Sequence, residues 1–152
     1  MTKLNFSIDI NAPKQKVWEI MLADKTYREW TGAFHEGSYF EGSWDKGSKI
    51  LFLGPSNEGK PSGMSSKIVE NIPYEYVSIE HVGEVIDGVE DTTSESSKQW
   101  AGSHENYTFS ETNGVTTLTV EMEGADVSKE MTEMFEGMWP KALAKLKEIA
   151  ES

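Results

Sequence analysis

Two patterns of apolar residues bracket the chain. Near its start, Leu4, Phe6, Ile8 and Ile10 alternate with polar residues, the period of a half-buried strand. Near its end, Val127, Met131, Met134, Phe135, Met138, Trp139, Ala142, Leu143, Leu146, Ile149 and Ala150 recur at helical spacing. That stripe predicts an amphipathic helix of roughly six turns. Ser128 or Asp126 is placed to cap it. Glu130, Glu133 and Glu136 load its first half, and Lys141, Lys145 and Lys147 its second, as the helix dipole favours. Gly137 and Pro140 interrupt the middle, where proline costs about 3 kcal/mol and glycine about 1. The stripe stays in phase across them, which favours one broken helix over two short ones. A face this wide needs a partner, and the preceding strands are the only large candidate.

Between these ends the signals are short. Asn11-Ala12-Pro13 closes the first strand and opens a helix with Pro13 in its first turn and Val17, Trp18, Met21 and Leu22 on its apolar face. Asp24 is placed to cap a second short helix carrying Tyr27 and Trp30. Residues 38–40 and 49–53 read as strands joined by the turn-rich stretch 41–47, and 54–61 reads as a loop. Further strands span 64–72 and 76–82, around a turn at Pro73-Tyr74. Asn113-Gly114 between two alternating runs predicts a hairpin that pairs 104–111 with 115–123. The stretch 84–100 breaks this rhythm. It is Ser/Thr-rich, and Glu84, Asp87, Glu90, Asp91 and Glu95 face only Lys98, so it reads as a solvated insertion, with an acidic rim gating a cavity as the rival use. The sum is a single α+β domain over residues 1–152, an antiparallel sheet of about six to seven strands curled around the C-terminal helix.

Charge and composition narrow the function. The chain of 152 residues carries 14 Lys+Arg against 26 Asp+Glu, a net charge of −12, which argues against nucleic acid and anionic membranes as partners. With no cysteine, disulfides, thiolate chemistry and Cys-based metal sites are excluded. No signal-like or membrane-length apolar run appears, so a cytoplasmic location is the expectation. Of the three histidines, His81 shares a strand face with Val77 and Ile79 and is expected to point inward. His104 is expected outward, because Glu105, Tyr107 and Phe109 share the other face, and His35-Glu36 falls in a loop. No HExxH spacing occurs, and Asp87-Gly88-Val89-Glu90-Asp91 lacks the ligand order of an EF-hand, so neither metal nor cofactor is expected.

The order of elements resembles the helix-grip fold of the START-like (SRPBCC) superfamily. Ile10-Asn11-Ala12-Pro13 with Val17-Trp18 resembles that superfamily's entry to its first helix. Tyr27 with Trp30, the turn from Gly42 to Gly47, and Met138-Trp139-Pro140 with Leu143 and Leu146 look like its activator of heat-shock-protein ATPase homologue-like branch. The resemblance covers nearly the whole chain. It implies an apolar cavity between the long helix and the concave sheet. Its members include carriers of hydrophobic molecules, co-chaperone domains and polyketide cyclases, so fold leaves function open.

If that cavity exists, alternation and the helix stripe nominate Trp18, Met21, Trp30, Trp44, Phe52, Met64, Tyr107, Phe109, Met122, Met131, Phe135, Met138 and Trp139 as its wall, with His81 and Glu105 as polar members. The same residues would serve equally to pack a solid core. The expected function is binding of a small hydrophobic molecule by a monomer or homodimer without catalysis. The rivals are a co-chaperone-like module with a chaperone partner, and a cyclase- or hydrolase-type enzyme using His81, Glu105 and Tyr107 for acid–base work.

Overall fold

The computed structural model describes residues 3–33, 37–55, 60–124 and 129–152, apart from the side chain of Met131. The proposed caps Asp126 and Ser128, the residue Val127, and the pair His35-Glu36 lie outside the described residues. In chain order come β1 (Lys3–Ile10), α1 (Lys14–Leu22), α2 (Asp24–Trp30), a short helical turn (Thr31–Ala33), β2 (Tyr39–Gly42), β3 (Lys49–Pro55), β4 (Pro61–Ile72) and β5 (Tyr76–Ile86). Then follow β6 (Val89–Asp91), α3 (Glu95–Trp100), β7 (His104–Thr112), β8 (Val115–Glu123) and α4 (Lys129–Glu151). The strands form one antiparallel sheet in the order β1-β8-β7-β5-β4-β3-β2, with β6 paired to the far end of β5. This is the helix-grip architecture, with two short helices after the first strand and a long C-terminal helix.

The predicted hairpin forms as expected. Asn113 and Gly114 both take positive φ, 53° and 80°, and join β7 to β8 in register from Thr112↔Val115 to His104↔Glu123. Pro13 stands at the N-cap of α1 in an extended conformation. Asp24 does not cap α2. It is the helix's first residue, its cap is Ala23, and its carboxylate pairs with Arg28 at 3.2 Å.

The stretch 84–100 is not a solvated insertion. β5 continues through it to Ile86, Asp87-Gly88 turns the chain with φ of 50° and 80°, and β6 pairs back on β5. Asp91 then accepts hydrogen bonds from the backbone N–H groups of Thr93 and Ser94, which hold its carboxyl below the usual range. Ser94 caps α3 by accepting from the Ser97 N–H, and Ser97 in turn donates its hydroxyl to Glu84.

α4 is one continuous helix, with Pro140 inside it. Its second half is pressed into the core by Trp139, Ala142, Leu143, Leu146 and Ala150, all buried. At its end Lys147 donates to the Asp9 carbonyl at 2.9 Å, and Glu151 accepts from the Asn11 N–H at 2.8 Å. Those bonds tie the helix to the point where β1 gives way to α1. Gly137 and Pro140 both face solvent, on the side away from the sheet. A Cβ added at Gly137 meets nothing within 4 Å, so only the conformational cost of glycine remains at that position. Gly137→Ala is therefore expected to raise stability by about 1 kcal/mol, read from the midpoint of chemical denaturation.

Candidate functional site

The concave face of the sheet does not close completely on α4. A cavity of about 320 Å³ lies between the first half of α4, the end of α2, and the ends of β3, β4, β5, β7 and β8. Its position follows from how α4 is held. Trp139 is 3% exposed and packs its ring on Phe6 (6.1 Å between centroids), Trp30 (6.1 Å) and Tyr107 (6.2 Å). Its indole N–H donates to the Met122 thioether at 3.1 Å. That cluster is one wall. Phe52 and Met64, paired across β3 and β4, form the opposite wall. Phe135 on α4 and Trp100 at the end of α3 meet edge to face at 6.1 Å and cover the space between.

Beside the hydroxyl residues Thr31, Ser38 and Ser62, the cavity brings an acid and an imidazole together on one side. The β4–β5 register sets Ser66 opposite His81, and the Ser66 hydroxyl lies 2.7 Å from His81 Nδ1. A bulge lets Val82 pass between the pairs Ser66↔His81 and Ser65↔Gly83, which re-aims the strand beside the histidine. On β7, Glu105 and Tyr107 share the inward face with His81. His81 Nε2 is 3.8 Å from Glu105 Oε1, and the Tyr107 hydroxyl donates to Glu105 Oε2. The result is a row Ser66–His81–Glu105–Tyr107, hydrogen-bonded at its two ends, with Tyr27 also lining the cavity close enough to feel the Glu105 charge.

Burial pushes the phenols of Tyr27 and Tyr107 well up from the usual tyrosine value of 10.0, and the Glu105 charge pushes both further. The hydrogen bond from Tyr107 to Glu105 adds to its rise.

Of the residues nominated from the sequence, Trp30, Phe52, Met64, His81 and Glu105 line the cavity, as do Tyr107, Met122, Phe135 and Trp139. The others do not. Met21 is fully buried beneath α2, where its carbonyl accepts from the Trp30 indole N–H at 3.1 Å. Trp18 lies over Phe109, edge to face at 5.1 Å, so α1 seals that end of the concave face, with Phe109 buried in the core and Trp18 half-buried above it. Trp44 packs among Phe40, Phe52 and Tyr27 and borders a separate surface depression with Trp18. Met138 is half-buried to one side, and the side chain of Met131 lies outside the described residues. His104 points away from the cavity, 3.9 Å from Glu80, as expected.

Sequence reasoning missed Tyr27 and Trp100 as wall residues. Tyr27 was legible as an apolar position of α2, whereas Trp100 needed α3 to be seen first. Among the described residues no cluster of His, Asp or Glu suited to a metal occurs, and no helix is long and apolar enough to cross a membrane.

The family model described as Activator of Hsp90 ATPase homolog 1-like protein matches residues 11–151. The chain belongs to this family. No curated protein sequence matches the AHSA1-like chain significantly. Solved structures do. The Aha1 dimer from Colwellia psychrerythraea superposes with a TM-score of 0.72 at 17% identity, over 99% of this chain and 97% of that one. CalU16 from Micromonospora echinospora gives 0.64 at 19% identity, over 97% and 75%. DynU16, from the dynemicin biosynthetic locus, gives 0.70 at 13% identity, over 99% of this chain and 47% of its own. At these identities the likeness is one of fold. AHSA1-like membership supports a ligand-binding or interaction module and names no ligand.

Two outcomes follow. Trp139→Ala is expected to cost about 3–5 kcal/mol in chemical denaturation, since it empties the junction of three elements. The second is alkaline. Tyr27 and Tyr107 have folded-state values raised above their unfolded value, so the stability they carry is complete below pH 10 and is lost as pH rises beyond it. Denaturation midpoints measured across that range should fall, and should fall less steeply in Tyr27→Phe.

Proposed function

We propose that this AHSA1-like domain binds a small hydrophobic molecule in the cavity between α4 and the sheet. The observation that supports the reading is the cavity itself. It measures about 320 Å³ and has mostly aromatic and Met walls, with His81 and Glu105 side by side among them. Small-molecule sites have this character, at volumes of roughly 300–1,000 Å³. A protein that only needed to pack a core would gain by filling such a space, because each lost contact costs dispersion energy. Met64 and Met122 add adaptability, since an unbranched thioether side chain repacks around ligands of different outline.

The rival AHSA1-like role, a surface that contacts a chaperone ATPase, does not need the cavity. A single variant separates the two. Met64→Trp places a larger ring into the cavity from a half-buried strand position without touching the outer face of α4. The wild-type protein purified from cells is expected to carry an additional mass in native mass spectrometry, or to be stabilised by apolar compounds. A ligand at a hundredfold excess over its Kd stabilises by about 2.7 kcal/mol. Met64→Trp should keep the fold and lose both effects. Stimulation of a chaperone ATPase that survives Met64→Trp, with no ligand effect in the wild type, would favour the rival.

A further inference from the structure

We propose that the ligand is a hydrophobic organic cation, an amine protonated at neutral pH or a quaternary ammonium, held by Glu105 within an aromatic cage. The inference deepens the binding role proposed above and rests on it.

Three features of the cavity point the same way. First, its charge has one sign. Glu105 is an acid whose side chain is only 15% exposed, and among the described residues no Lys or Arg lines the cavity. A carboxylate in an apolar surround is costly unless its oxygens are paired. Glu105 Oε2 accepts from the Tyr107 hydroxyl, but among the described residues Oε1 has only His81 Nε2 at 3.8 Å, beyond hydrogen-bond reach. One oxygen is thus left to accept from something that enters the cavity.

Second, the walls suit a cation. Trp30, Trp139, Tyr27, Phe52, Trp100 and Phe135 surround the space, and ring faces attract ammonium groups, tryptophan most strongly. A neutral hydrocarbon would be served equally well by leucine and valine walls, and would gain nothing from a buried carboxylate.

Third, the histidine of the site has a partner other than the acid. The Ser66 hydroxyl lies 2.7 Å from His81 Nδ1 and fixes the ring, while Nε2 stays 3.8 Å from Glu105, which leaves that carboxylate oxygen to the guest. The Tyr27 hydroxyl, which makes no hydrogen bond among the described residues, offers a donor for an oxygen elsewhere on the ligand. The same arrangement selects against fatty acids and other carboxylates, which would meet Glu105 with like charge and no basic partner.

Three probes of one shape test this at neutral pH by calorimetry: naphthylmethylamine, naphthylmethanol and naphthylacetate. The amine is expected to bind roughly tenfold or more tightly than the alcohol, and the carboxylate weakest. Glu105→Gln keeps an acceptor for Tyr107 but no charge. It should bring the amine to within about twofold of the alcohol. Glu133→Gln, on the exposed face of α4, should leave the preference intact, which sets the cavity charge apart from the attraction of a protein with net charge −12. Equal affinity for amine and alcohol overturns the cation while leaving the hydrophobic cavity standing. So does a preference that survives Glu105→Gln or vanishes in Glu133→Gln. Failure of all three probes to bind, with no co-purifying mass, overturns both.

Discussion

The arrangement depends on how one tryptophan seats one helix. An amphipathic helix laid on a curved sheet can slide or roll, because burial of apolar area is non-directional. Trp139 removes that freedom. Its ring is fitted between Phe6 of β1, Trp30 of α2 and Tyr107 of β7, and its one polar atom is met by Met122 of β8. Beyond it, Ala142 and Ala150 are buried without bulk, so that half of α4 comes close to the core. Before it, the helix carries Phe135, half-buried, and Met134, exposed at 43%. Tight packing on one side of Trp139 and open space on the other amount to the same fact, and the cavity is what the seated helix leaves uncovered.

Into that space the sheet delivers polar groups that local pattern alone would not choose. Inward positions on β5 and β7 are Val77, Ile79 and Phe109 where the core is solid, and His81 and Glu105 where it is not. The change from apolar to polar falls within two residues along each strand. A buried carboxylate and imidazole weaken the fold compared with aliphatic side chains of similar volume. Departures from local consistency of this kind concentrate at working sites. The bulge at Val82 points the same way, since it gives up a regular ladder position next to the histidine.

The parts of this site that were legible in the sequence are those set by period. Alternation assigned Glu105, Tyr107 and Phe109 to one face, and the helical stripe put Phe135 and Trp139 on another. Period says which face a residue occupies and nothing about what lies over it. Phe109 and Tyr107 are equivalent by alternation, yet Trp18 of α1 covers the first and the cavity opens over the second. That difference comes from the path of α1 and α2 across the sheet, a non-local packing outcome. Trp100 was hidden for another reason. The acidic, Ser-rich composition of its segment outweighed the Asp87-Gly88 pair, which makes the same hairpin turn as Asn113-Gly114. Once that turn is seen, β6 follows, Ser94 becomes a cap, and Trp100 is carried back over the cavity at the end of α3.

The Gly137–Pro140 break does not shape the cavity, although it stands beside the residue that does. Gly137 and Pro140 flank Trp139, and a bend aiming that ring inward would have made them the architects of the cavity wall. Both face solvent, and the apolar side of α4 runs on without interruption. Proline at this position deprives the Glu136 carbonyl of its helical donor, but Glu136 is exposed, so water can take the donor's place and the loss is smaller than in a buried turn. The break is tolerated because of where it faces. What makes the wall is the ring between those two residues and the aromatic side chains that hold it, and these need only that the helix remain one body through the break.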